Sequence, residues 1–239
     1  MRQFSVALIA AALGLGAAGA AHAAPATYKI DDDHTYATFA IDHFGASVNR
    51  ARFDTVTGTV QFDKAAKAGK IDVTVDVKSV YSGSKGFDKH LQAADFFDAA
   101  KHPTMRFVSD KLVFQGDKLV EVPGQLTLLG QTHPVTLKAN QFACYPNPLA
   151  KTEACGGDFE AVIDRTQWGM NAMVDMGMPK NVKITATIEA FNAAVQDGNK
   201  APGATPPTPL VLITANASET SRVAKACPPI HTRLPLALA

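Results

Sequence analysis

Four of the chain's six methionines fall between residues 170 and 178, as Met170, Met173, Met176 and Met178, and soft thioethers so closely spaced suit Cu(I). The same cluster also reads as an apolar lid, because an unbranched thioether adapts to ligands of varied shape. The histidines form no His-x-His or His-Glu-x-x-His pattern, which argues against a zinc site. Gly83-Ser84-Lys85-Gly86 stops one residue short of a Gly-x-Ser-x-Gly elbow and opens a helical pattern, so Ser84 reads as a helix cap and not a nucleophile. Asp31, Asp32, Asp33, Asp88, Asp95 and Asp98 show no pairing of the kind acid–base work needs. These residues describe a protein that is not an enzyme and carries no cofactor. Cys144 and Cys155 bracket a Pro- and Gly-rich connection and are expected to form a disulfide, which contributes on the order of 2 to 3 kcal/mol by restricting the unfolded loop. Cys227 is then either free or linked between chains.

The segments that must position these residues divide into three. Residues 1 to 23 consist of a short basic start, the apolar run Val6 to Ala21 and Ala21-His22-Ala23, the small-x-small pattern of a secretory cleavage site. The run is too short and too rich in Ala and Gly for a membrane span of ~20 residues, so the mature chain is expected outside the cytoplasm, in a periplasm. Gly14 to Gly19 matches Gly-x-Gly-x-x-Gly but lacks the strand and helix of a dinucleotide site. Without the first 23 residues, which hold one Arg and no acid, the basic and acidic residues balance at 22 each, so nucleic acid is not an expected partner. At the other end, residues 194 to 239 hold seven of the fourteen prolines and no aromatic residue, and read as a disordered tail. Within that tail, Pro209 to Ile213 could dock on the domain or on a partner.

Residues 26 to 193 form the expected domain, and their dominant period is two. Ala37, Phe39 and Ile41, then Ile71, Val73, Val75 and Val77, then Val182, Ile184, Ala186 and Ile188 each alternate with polar or small residues. Further strands are expected near 51–62, 104–114, 119–129, 134–143 and 158–166, about eight in all, joined by turn formers. Short connections favour an antiparallel meander, and closing it removes the exposed edges. An all-β eight-stranded antiparallel barrel is therefore the first expectation and a sandwich the second. One amphipathic helix is expected over Ser84 to Ala94, capping an end. Alternation points Phe39, Ile41, Val60, Phe62, Val73, Val75, Phe107, Leu126, Leu128, Val135, Leu137, Phe159, Ile163, Ile184 and Ile188 inward. Such a barrel either fills with side chains or holds one small ligand. His43 continues the inward series and would reach the lumen's end, where His34, Asp95, His133 and Arg165 could join it in a polar rim that grips a quinone or phosphate head group.

These segments together resemble the YceI-like polyisoprenoid-binding family of lipocalin-like barrels. The resemblance is carried by Asp31-x-x-His34, Phe39-x-Ile41-x-His43, Phe53 with Gly58, His90-Leu91, Asp95-Phe96-Phe97-Asp98 and Pro103-Thr104-x-x-Phe107. It continues through Gly124-x-Leu126-Thr127-x-x-Gly130-x-Thr132-x-Pro134-Val135 and Arg165-x-x-Trp168-Gly169. The Cys144 to Gly157 segment and the tail depart from it. The resemblance implies a hollow barrel holding an isoprenoid lipid, such as a quinone or a polyprenyl chain, without catalysis. The residues expected to touch that ligand are Phe39, Ile41, His43, Phe53, Val73, Val75, Phe107, Leu126, Leu128, Phe159, Ile163, Arg165, Trp168 and Met170. It also implies transient contact with the membrane and with a membrane di-haem cytochrome of the b type.

Overall fold

The structure is a computed structural model and describes residues 25–194; the segments 1–24 and 195–239, with Cys227, lie outside the described residues. Strands β1 (Ala26–Ile30), β2 (Tyr36–His43), β3 (Ser47–Phe53), β4 (Val56–Asp63), β5 (Ala68–Asp76) and β6 (Val80–Tyr81) precede a single α-helix, α1 (Lys85–Leu91). After it come β7 (Thr104–Ser109), β8 (Val113–Gln115), β9 (Lys118–Leu128), β10 (Gln131–Asn147), β11 (Thr152–Asp164) and β12 (Asn181–Asn192). All pairings are antiparallel; besides consecutive strands, β1 pairs with β4, β3 with β6, β5 with β7 and β7 with β9, and β12 returns to pair with both β1 and β2. The result is the expected eight-stranded closed barrel with one short helix.

The twelve segments make eight barrel strands because several of those strands are broken. β1 and β2 act as one strand interrupted at 31–35: β1 pairs with β4 and β2 with β3. The single strand expected over 51–62 is likewise split, into β3 and β4, and the one over 104–114 becomes β7 and the short β8, which folds back on β9. The breaks come from side chains that compete for main-chain hydrogen bonds. Asp31 accepts the Asp33 N–H at 3.1 Å and lies 2.7 Å from His34 Nδ1, turning the chain out of the sheet. Ser79 does the corresponding work at the second break, accepting the Asp54 N–H on its carbonyl and the Thr55 N–H on its hydroxyl.

A broken strand leaves its neighbour short of partners. β12 pairs with β2 up to Thr187 and with β1 from Ala190, so Glu189 faces the gap. The Thr35 hydroxyl fills it, accepting the Glu189 N–H at 3.0 Å and donating to the Glu189 carbonyl at 3.1 Å, while the Asp31 N–H donates to that carbonyl at 2.9 Å. Thr35 is only 2% exposed, so water does not compete for these bonds.

Glycine is needed where strands and rings come close. A Cβ on Gly124 would stand 2.4 Å from the Phe107 ring and 2.5 Å from the Val108 carbonyl oxygen, so its absence lets that ring lie across the neighbouring strand. The helix is shorter than the Ser84 to Ala94 expected, but Ser84 does cap it, accepting the Phe87 N–H. Chain 92–103 continues as turns that bury Phe97 edge-on against Phe53, with ring centroids 5.2 Å apart.

Replacing Thr35 by Val keeps the shape and removes the bridge, leaving the Glu189 N–H unpaired. The expected loss is about 1 to 3 kcal/mol in urea unfolding, with Thr35→Ser recovering most of it; equal stability of the Val variant and wild type would show that the seam does not depend on the hydroxyl.

Candidate functional site

Because strand residues alternate, the inner faces of β2, β4, β5, β7, β9, β10, β11 and β12 point apolar side chains at one another, and the space between them stays open. The cavity measures about 380 Å³, within the roughly 300 to 1,000 Å³ of small-molecule sites. Phe39, Ile41, Val73, Val75, Phe107, Leu126, Leu128, Phe159 and Ile163 line its walls, as do Val60, Val135, Leu137, Ile184 and Ile188.

At the end near the 63–68 and 147–152 turns the cavity is closed by aromatic packing. Phe62 stacks on Phe114, with centroids 6.3 Å apart, and meets Phe142 edge-on at 5.7 Å. Tyr28 completes this floor beside Cys155, which is bonded to Cys144 directly across the β10–β11 ladder, the expected disulfide. The Tyr28 hydroxyl donates to Glu153 at 2.5 Å, and Glu153 also takes the Lys64 ammonium. Burial, reinforced by Glu153, raises the Tyr28 pKa far above the ordinary tyrosine value. Burial pulls Glu153 the other way from its partners, but the bonds from Lys64 and Tyr28 prevail and its pKa is lowered. The strand holding Tyr28 is too short for alternation to mark it, and only the fold brings these three residues together.

The opposite end is framed by the β2–β3 turn, by α1 and by the 165–180 loop. His43, Asn49, Phe87, His90, Phe96, Met173 and Met178 line the cavity there, with Phe53 and Met170 just within. Arg165 borders the cavity and is 3% exposed, and three of its five N–H donors hold loop carbonyls: Nε that of Pro179, Nη1 that of Met170 and Nη2 that of Ala172. Its guanidinium thus fastens the 165–180 loop while standing at the cavity wall where it was expected; burial lowers its pKa. Trp168, by contrast, does not border the lumen, which corrects its expected place among the residues that touch a ligand. It is 1% exposed, donates from Nε1 to the Leu126 carbonyl at 3.1 Å and meets His133 edge-on at 5.0 Å, holding the loop against the β9–β10 wall.

The other rim candidates disperse as well. His34 is exposed and bound to Asp31, a bond that raises its pKa, while Asp95 is exposed and His133 packs on Trp168. The four methionines divide: Met170, Met173 and Met178 border the lumen, whereas Met176 is 65% exposed. Among the described residues no helix is long and apolar enough to cross a membrane.

A closed antiparallel meander around a single apolar lumen, sealed at one end, defines a small-molecule-binding barrel. The YceI-like domain model matches residues 28–190, and the chain belongs to that family. Among its relatives, a UPF0312 protein of Pseudomonas aeruginosa is 40% identical over 187 residues, covering 76% of this chain and 96% of the relative. One from Pseudomonas savastanoi is 38% identical over 135 residues, covering 55% and 70%. The fold is shared with BcnA of Burkholderia cenocepacia, at TM-score 0.53 and 23% identity over 67% of this chain and 99% of that one. It is shared too with a polyisoprenoid binding domain from Saccharophagus degradans, at TM-score 0.52 and 14% identity over 69% and 98%.

The lowered pKa of Glu153 means that its ion pair stabilises the fold at neutral pH and stops doing so as pH falls below about 4.3 and through the folded-state value. Urea midpoints measured from pH 6 to pH 3 are expected to fall less steeply for Glu153→Gln than for wild type, with a lower midpoint for the variant at pH 6. Parallel curves would remove Glu153 from the acid response.

Proposed function

We propose that the protein is a periplasmic, non-catalytic carrier that holds one isoprenoid lipid, of quinone or polyprenyl type, in the barrel lumen. The observation that carries this reading is the open, almost wholly apolar cavity closed by Tyr28, Phe62 and Phe142 at one end only. Such a shape suits a long apolar tail entering with its polar end last. Membership of the YceI-like family and the shared fold of a polyisoprenoid binding domain support it. Export rests on the signal-like residues 1 to 23.

A buried methylene is worth about 0.8 kcal/mol against water, so a few isoprene units approach the ceiling of roughly 18 to 21 kcal/mol for non-covalent binding. Such lipids start in a bilayer, where the apolar gain nearly cancels, and transfer is reversible. Fit and head-group contacts then decide what is carried. Exchange calls for a transient meeting of the mouth with the membrane. Two exposed apolar residues stand beside the mouth: Phe44, 48% exposed and held at a φ of 58°, and Met176. The Phe44 ring lies 3.8 Å from where a Cβ on Gly177, the residue after Met176, would stand, so the β2–β3 turn meets the 165–180 loop there. Loading from or delivery to a quinone-linked membrane cytochrome of the b type fits this route.

The test is to purify the protein from a periplasm in mild buffer, extract it with organic solvent and identify the lipids by mass spectrometry. One isoprenoid per chain is expected, absent from a folded Phe39→Asp/Ile163→Asp variant. A preparation that holds no lipid and takes up no added quinone would remove the carrier reading.

A further inference from the structure

The polar side chains that border the lumen fall into two groups. Tyr28 is committed to Glu153, Thr38 and Thr185 to each other, Arg106 to Asp72 at 2.8 and 2.6 Å, and Arg165 to three carbonyls. His43, Asn49 and His90 remain, and their side chains have no hydrogen-bond partner among the described residues. All three stand at the mouth. Asn49 lies opposite Ile41 and His43 opposite Ser47 in the β2–β3 ladder, so His43 and Asn49 are diagonal neighbours on its inner face; His90 comes from α1.

Resting on the carrier reading, we propose that His43, Asn49 and His90 form a head-group site for an uncharged oxygen function, a carbonyl, ring oxygen or alcohol, and that the site discriminates against phosphate. A carboxamide and imidazoles give and accept hydrogen bonds without a fixed charge. A phosphate drawn into an apolar mouth needs a cation with free donors to offset its desolvation. Arg165, the buried cation there, is tied by Nε, Nη1 and Nη2 to the carbonyls of Pro179, Met170 and Ala172, which take three of its five N–H donors, and Lys85 and Lys89 of α1 do not border the cavity. His43 and Asn49, half-buried and left unpaired by the protein, gain most from a ligand that pairs them, and the exposed His90 adds less. The uncharged head therefore fixes the ligand's orientation, tail toward Phe62 and oxygen toward His43.

Three probes with the same branched twenty-carbon skeleton separate the terms: phytane, phytol and phytyl phosphate, delivered from cyclodextrin to the full chain and measured by calorimetry. Wild type is expected to bind phytol about tenfold more tightly than either of the others, the equivalent of about 1.4 kcal/mol. In His43→Leu/Asn49→Leu, phytol is expected to fall about tenfold to the level of phytane, with phytane unchanged. His90→Leu, a change on the exposed helix, gives a smaller loss in the same direction and serves if the double variant does not fold. Phytyl phosphate binding as tightly as phytol would overturn the charge preference, and phytol binding unchanged in both variants would overturn the site. Failure of all three probes to bind wild type would instead strike the carrier reading beneath it.

Discussion

The barrel depends on the seam where its last strand meets its first. β12 must pair with two separate segments, and the gap between them falls at Glu189, whose N–H and carbonyl would otherwise be buried without main-chain partners. One threonine hydroxyl and one N–H satisfy both groups. An open sheet of the same strands would present edges to other chains and would enclose nothing. The Asp31-x-x-His34 segment therefore matters as architecture: its Asp–His bond makes the turn that delivers Thr35 to Glu189.

Closure creates a lumen with unlike ends. Aromatic rings, a disulfide and the Tyr28–Glu153–Lys64 chain make one end tight, and each member is held by another, as Phe62 is by Phe114 and Phe142. Turns and a short helix make the other end, where side chains have hydrogen-bonding capacity to spare. The lumen is thus closed by apolar groups at one end and framed by polar ones at the other, with the Arg165 guanidinium held by carbonyls of its own loop.

Much of this is legible in the sequence, and what is not has a physical reason. Alternation follows from strand geometry alone, so Phe39, Ile41, Val73, Val75 and Ile163 could be pointed inward before any fold was known. Cys144 and Cys155 stood out by compartment and spacing. The breaks at 31–35 and 54–55 escaped because single side-chain bonds make them, local ones from Asp31 at the first and a distant one from Ser79 at the second, and neither leaves a periodic trace. Trp168 was misplaced, and the bonds of Arg165 to its own loop went unseen, for a related reason. Residue type advertises what a side chain can do, but carbonyls of its own loop had claimed the guanidinium, and the Leu126 carbonyl the indole. Asn49 gave no signal because it interrupts an exposed strand with a residue as common in turns as in sites.

The interruptions are also unevenly distributed round the barrel. β9, β10, β11 and β12 run 11, 17, 13 and 12 residues, whereas the facing side is assembled from β1 to β6, none longer than nine. One half is a stiff staved wall and the other a set of jointed panels whose joints lie at Thr35, Thr55 and Ser79. Widening the tube to admit a bulky chain would flex those joints and leave the long staves in register, so the barrel has a hinge side and a fixed side even though its ladder runs unbroken around the ring.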